Sequence, residues 1–409
     1  MKVLFLTLLN INSLDERNIY TDLLKEFEIN GHEVTVISPI ERRNWRKSNS
    51  INDKRILKVK IPNITKTNVV EKGISTLVID KLYLRTIKKY IDSDSYDLII
   101  YTTPPVTFEK TISYFKERKI KTYLLLKDIF PQNAIDLNLM KENSFLHKFF
   151  RNKEKNLYLN ADFIGCMSPK NVSYILENNK KLLLENKIHV SPNSISPERY
   201  NKIDEKEIES IRKKYGIPLD KKIFIYGGNI GKPQGLPYFL RCLKKLKLEN
   251  EDAFFVIVGS GTELVKSKNY ARDNNLTNLL FLDGKPTEEF NIILSAVDAG
   301  LILLDKRFTI PNFPSRTLSY MQAGLPIIAA TDNNSDIGKV ITKNKIGYWV
   351  SSENEEDFVN IINEFTVTDS LELMKMCKNS YNFLTENYTS KHSYEIIINE
   401  IKKGENIDV

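Results

Sequence analysis

Short apolar runs that end in turn residues recur along the whole chain. In the first half they are KVLFLTLL (2–9), HEVTVISPI (32–40), YDLIIYTTPP (96–105), KTYLLLKDIF (121–130), ADFIGCMSP (161–169) and KIHVSPNSI (187–195). Runs this short and this continuous predict parallel strands buried on both faces. Between the first two lies SLDERNIYTDLLKEFEINGH (13–32), where Ile19, Leu23, Leu24 and Phe27 share one helical face. Ser13 and Glu16 have the spacing of a capping box, and Gly31 is placed to end the helix.

The second half repeats the scheme with KKIFIYGGN (221–229), AFFVIVGSG (253–261), LLFLDGKP (279–286), AGLILLD (299–305), LPIIAATD (325–332) and GYWVSSEN (347–354). The helix after the first of these carries Leu236, Phe239, Leu240, Leu243 and Leu246 on one face. Two successive strand–helix series predict an α/β protein with two doubly wound, Rossmann-like domains. The polar stretch 196–222 reads as the connection. The domains are placed at 1–200 and 201–387, and a last helix at about 388–403 could cross back to the first domain. Ligands of doubly wound sheets sit outside the carboxyl ends of the strands, so functional residues should lie in the turns after the strands, facing a cleft.

Charge separates the halves. The chain has 409 residues and a formal net charge of +8. Residues 1–200 hold 33 Lys and Arg against 23 Asp and Glu, so the excess of cations lies there. A basic half suggests an anionic partner surface. ERRNWRK (41–47) and FLHKFFRNK (145–153) mix aromatic and basic groups, which suits an anionic bilayer. No nucleic-acid module is recognisable, so no nucleic-acid partner is expected. Cys166, Cys242 and Cys377 are widely spaced, and the four histidines are scattered. That predicts neither a disulfide framework nor a metal site. Asp92 and Asp94 mimic a metal motif but precede a strand, and read as a solvated loop. The N-terminal run reads as a first strand instead of a signal peptide, and no run is long enough to span a bilayer.

The candidate chemistry lies in four turns of the second half. IYGGNIGKPQGL brings Gly228, Asn229 and Lys232; VIVGSG brings Gly259 and Gly261; FLDGKP brings Lys285 and Pro286. FPSRTLSYMQAGLPIIAATD (313–332) opens a short helix with Ser315 as N-cap, then Arg316 and Thr317, and Gly324 stops it. Helix starts attract anions, so this one suits a phosphate. In the first half Asp128, at the end of a strand, could take an acceptor proton or orient the acceptor, or simply cap the following turn. Asp15, Glu16 and Arg17 follow the first strand on the acceptor side.

The ordered set GGNIGKPQGL, VIVGSG, FLDGKP, DAGLILL and YMQAGLPIIAATD resembles the donor domain of two-Rossmann (GT-B) glycosyltransferases, family four. DERNIYTDLLKEFEINGHEVTVISP, LLLKDIFPQNAIDL and SPNSI extend the resemblance over nearly the whole chain, toward bacterial capsule and O-antigen transferases that include N-acetylfucosamine transferases. Two departures stand out. Pro311 and Ser319 occupy the positions of the family's two glutamates, and Asn229 and Gln234 those of its Arg-and-Lys pair. Lys232 and Arg316 are then the nearest cations for a donor diphosphate.

The resemblance implies a retaining, metal-independent hexosyltransferase without cofactor. It would move a sugar from a UDP-sugar to a lipid-linked (undecaprenyl diphosphate) saccharide, at the cytoplasmic face of the plasma membrane. Asp128, Arg316 and Lys232 would be its catalytic groups. Rivals are a UDP-sugar 2-epimerase of the same fold and a non-catalytic nucleotide-sugar-binding partner.

Overall fold

The structure is a computed structural model and describes residues 1–45, 53–64, 69–182, 184–198 and 203–407. The chain divides into two compact units, residues 1–196 with 390–409, and residues 197–389.

In the first unit seven parallel strands form one sheet in the order β3-β2-β1-β4-β5-β6-β7. They are β1 (Lys2–Leu6), β2 (Glu33–Glu41), β3 (Ile56–Ile61), β4 (Leu98–Thr102), β5 (Lys121–Leu126), β6 (Phe163–Cys166) and β7 (Ile188–Val190). The helices of its N-terminal segment are α1 (Ile19–Ile29), α2 (Val69–Tyr90), α3 (Glu109–Lys116), α4 (Gln132–Asp136), α5 (Phe145–Asn160) and α6 (Pro169–Asn178). β4 is buried at every position, as a central parallel strand must be. The core gathers Val3, Phe5, Leu24, Phe27, Ile100 and Leu125.

The cap of α1 differs from the expected one. Asn18, not Ser13, is the N-cap: its side chain accepts from the amides of Tyr20 and Thr21, and Thr21 Oγ1 accepts from Asn18 N at 3.0 Å. The segment before it cannot join the helix, because Ile11 and Leu14 are fully buried. Lys58 and Ser38 hold the Ile11 carbonyl beside β2. Glu16 is left outside the helix and accepts from the Asn12 amide at 3.3 Å.

The second unit holds six parallel strands in the order β10-β9-β8-β11-β12-β13. They are β8 (Lys222–Asn229), β9 (Ala253–Ser260), β10 (Leu279–Asp283), β11 (Ala299–Leu303), β12 (Ile327–Thr331) and β13 (Gly347–Ser351). Its helices are α7 (Glu205–Tyr215), α8 (Leu236–Glu249), α9 (Leu264–Asp273), α10 (Thr287–Leu294), α11 (Arg316–Gln322), α12 (Ile337–Lys343), α13 (Glu355–Val367) and α14 (Ser370–Asn387). Leu236, Phe239, Leu240, Leu243 and Leu246 of α8 pack on Phe224, Phe255 and Phe358.

The last helix, α15 (Ser390–Ile407), packs in the first unit, where Ile397 and Ile401 enter the core. Ser390 N–H donates to the Ile195 carbonyl at 2.8 Å.

Candidate functional site

β8 runs four residues beyond the point where β11 stops supporting it. β11 pairs with β8 only at Phe224 and Ile225, whereas β9 follows β8 out to Asn229. The freed edge is taken over by α11. Tyr320 Oη accepts from Gly227 N–H at 3.0 Å and donates to the Ile225 carbonyl at 3.2 Å. Gly300 makes room for that ring, since a Cβ there would lie 2.3 Å from it.

Arg316 stands one helical turn before Tyr320, on the same face. Its guanidinium lies over the Tyr226 ring, 4.4 Å from the centroid, and donates to the Gly227 carbonyl. It forms no ion pair among the described residues; a ring, the Gly227 carbonyl and the hydroxyls of Tyr226 and Tyr320 surround its charge. Gly228, at φ +123°, lies so close that a Cβ would approach the guanidinium to 3.0 Å. Gly259 is forced by the neighbouring strand: its Cβ would lie 1.9 Å from the Gly228 carbonyl oxygen. Gly261 is likewise hemmed in by the Ile230 carbonyl. These glycines let β8 and β9 run close together past the end of the sheet, which leaves backbone and the Arg316 cation at the strand ends.

The turn after Asn229 is self-contained. Gln234 Oε1 accepts from Gly231 N–H at 3.0 Å, and Tyr226 Oη donates to the Asn229 carbonyl at 2.8 Å. Lys232 opens this turn and is exposed.

The start of α11 differs from expectation. Ser315 precedes the helix, but its backbone is already helical and its hydroxyl makes no cap. The turn begins at Pro314, whose carbonyl accepts from Thr317 N–H, and Leu318 N–H donates to Ser315 O. The first amides are therefore partly engaged, which leaves Arg316 as the main anion-attracting group here. Thr317 is fully buried, and its hydroxyl has no partner among the described residues.

Lys285 follows Gly284, which lies close to Gly259. It pairs with Glu289 at 3.0 Å over the Tyr215 ring, while Tyr215 Oη donates to the same carboxylate. Pro286 immediately precedes α10.

In the first unit Asp128 follows β5. Its carboxylate accepts from Asn133 Nδ2 at 2.7 Å, and its amide donates to Thr103 Oγ1. Arg17 reaches the Ser196 carbonyl and lies 3.6 Å from Asp22. Asp15 is exposed, accepts from Ser13 Oγ and lies 3.9 Å from Lys25. The three acceptor-side residues thus brace the loop before α1 in different directions and do not converge. Asp94 pairs with Arg118, and no group of three or more His, Cys, Asp or Glu could hold a metal among the described residues.

Sequence reasoning passed over Tyr226 and Tyr320. The i, i+4 spacing of Arg316 and Tyr320 was the available signal; nothing local pointed to Tyr226, ninety positions away.

Two parallel Rossmann-like sheets of this kind define the GT-B class, and solved structures agree. HepE of Anabaena, solved with UDP, superposes with a TM-score of 0.69 at 14% identity, covering 98% of this chain and 100% of that one. WaaG gives 0.63 at 14% identity, covering 97% and 99%. Residues 207–382 match the family model described as glycosyl transferases group 1. The Pseudomonas aeruginosa protein named "Probable glycosyltransferase WbjE" is 23% identical over 343 residues, 82% of this chain and 81% of the relative. The chain is a glycosyltransferase enzyme with the GT-B fold, and the group 1 match falls within its second unit.

Proposed function

We propose that the enzyme transfers a sugar, with retention, from a UDP-sugar to a lipid-linked saccharide in bacterial surface-polysaccharide synthesis. The observation that carries the donor half is Arg316. A guanidinium with no carboxylate partner among the described residues, held against Gly228 near the end of β8, suits an anion. A donor diphosphate fits it, bidentately and with charge assistance. As the glycosidic bond breaks, negative charge builds on the leaving diphosphate, and a fixed cation stabilises that state most. Lys232 is the second cation near the turn. Asp128, oriented by Asn133, is the acceptor-side carboxylate. HepE with UDP and WaaG, a glycosyltransferase involved in lipopolysaccharide biosynthesis, support the reading by fold.

The acceptor half rests on the first unit. At the α4–α5 corner Phe145 is 86% exposed, with Leu139 and Leu146 exposed beside the exposed Lys141 and Lys148. Apolar and cationic groups together suit an anionic bilayer, where the lipid-linked acceptor resides. Within the other basic segment Trp45 donates to the Ile40 carbonyl, and residues 46 and 47 lie outside the described residues. No described helix is long and apolar enough to cross a membrane.

A thermal-shift screen of nucleoside diphosphates and UDP-sugars tests the donor, since a ligand of the native state raises the melting temperature. Stabilisation by another nucleotide, with none from UDP, would overturn the UDP assignment.

A further inference from the structure

Residues 7–18 leave the first sheet at its topological switch point. The chain runs outward from β1 to β2 and β3, and β4 returns to the other side of β1. Ligands of doubly wound sheets lie in the crevice at the carboxyl ends of two such strands. Here those strand ends meet side chain to side chain, with Thr102 Oγ1 donating to Thr7 Oγ1 at 3.3 Å. The segment that follows β1 must either border this crevice or cover it.

It is tied to the far side. Leu6, the last residue of β1, pairs with Ile37, and β2 and β3 continue past that point with Ser38 opposite Lys58. Lys58 Nζ donates to Asn10 Oδ1 at 2.7 Å, to Ser38 Oγ at 2.8 Å and to the Ile11 carbonyl. Ser38 Oγ donates to the same carbonyl at 3.1 Å. Further along, Leu14 N–H donates to Asp53 at 3.3 Å, and Arg55 grips that carboxylate through Nε and Nη2. The loop thus runs over β2 and β3, on the side of β1 away from β4.

An ammonium has three hydrogens, and here all three go to uncharged acceptors. Lys58 forms no ion pair among the described residues; Glu16 of the same loop is the carboxylate that acts on it. Burial pushes its pKa down to about 8, so holding the charge there is costly. Stability alone does not call for a lysine at this position, since an apolar side chain would avoid that cost. What the lysine adds is a directed grip that fixes the course of the loop.

We propose that Lys58 is a positioning residue for the transfer reaction: it ties residues 9–14 back over β2 and β3 and so keeps the crevice between β1 and β4 open to the acceptor. This rests on the reading that the first unit takes the acceptor. Leu9, Asn10 and Asn12 are exposed on the tied loop, so its release would leave an apolar side chain and two amides free to swing across the crevice.

The test uses the full chain, with the UDP-sugar that stabilises it most as donor. Its acceptors are a short-chain prenyl diphosphate saccharide and the same saccharide without lipid. Lys58→Met keeps the stem and removes the grip. It should raise the KM for acceptor by about tenfold, the scale of one hydrogen bond to a charged group, with kcat and the KM for donor unchanged. Hydrogen exchange of amides 9–14 should quicken in the same variant. Lys58→Arg should restore part of the acceptor KM, because it keeps the charge and several donors. Asn10→Ala, at an exposed position, releases one arm and should raise the same KM by less; it decides if Lys58→Met does not fold. Quicker exchange with an unchanged acceptor KM would make Lys58 structural only and overturn the proposal. Unchanged exchange, or a KM raised equally for donor and acceptor, would overturn it as well. Wild-type transfer to the lipid-free saccharide alone would remove the lipid-linked acceptor, and the Lys58 effect is then read with that saccharide.

Discussion

The Arg316 guanidinium lies over the Tyr226 ring, its carbon 4.4 Å from the centroid, so that a cation on α11 is fixed beside β8 by an aromatic ring. A guanidinium has five donors in a planar fork, so it can hold the Gly227 carbonyl and still offer others to an anion, and a lysine cannot match that fork. Arg316→Ala should therefore lower the chemical rate by about 10²–10³-fold, the scale for one lost donor to a developing oxyanion. Arg316→Lys should recover part of it. Single-turnover rates at saturating donor check this. A near-normal rate in a folded Arg316→Ala protein would shift the role to Lys232.

Tyr320 should act on the same turn without touching substrate. Its hydroxyl is the one partner shown for Gly227 N–H at the unsupported edge of β8. Tyr320→Phe keeps the ring against Gly300 and strands that amide, at a cost of about 1–3 kcal/mol. The signature of a positioning role is a raised KM for donor together with a lowered melting temperature. A lowered melting temperature with unchanged KM would make Tyr320 purely structural.

The doubly wound architecture was legible because parallel strands buried on both faces leave continuous apolar runs. β3 escaped notice because ILKVKI carries Lys58 and Lys60, which read as surface. Lys58 is in fact partly buried under Asn10, Ile11 and Ser38. The N-cap of α1 was misplaced because two cap patterns lie five residues apart, and only the burial of Ile11 and Leu14 decides between them. Arg316 could be singled out as a cation at a helix start, but its setting could not. That setting is made by Tyr226, Gly227 and Gly228, which only the folded sheet brings to α11.

The α4–α5 corner gives a test of membrane attachment that spares the fold. Phe145 and Leu146 are exposed, so Phe145→Ser with Leu146→Ser should change stability by less than about 0.5 kcal/mol. Sedimentation with anionic vesicles should fall several-fold, and wild-type binding should weaken with salt. Equal sedimentation of both proteins would move the docking surface elsewhere.

Metal removal should leave turnover intact. The chemistry assigned to Arg316 needs no divalent ion, and no cluster of metal-ligating side chains stands among the described residues. Loss of activity in EDTA, restored by manganese, would contradict this.

Lys127 makes the stability of the enzyme depend on pH in a stated direction. Burial pushes its ammonium down from 10.5 to about 7 in the folded chain. Between those values the unfolded chain holds a proton that the folded chain lacks, so stability rises with pH across that window. Below about 7 the folded chain bears the full cost of the partly buried charge. Lys127→Met removes the cost and should stabilise the protein by about 1–3 kcal/mol at neutral pH, as replacing buried charge with an apolar group does. The gain should shrink toward zero as pH approaches 10.5. Lys58 and Lys187, each pushed down to about 8 by burial, add to the slope in both proteins and cancel in the difference. Denaturant melts of the two proteins across this range give the difference curve directly. A constant difference would mean that Lys127 does not titrate there.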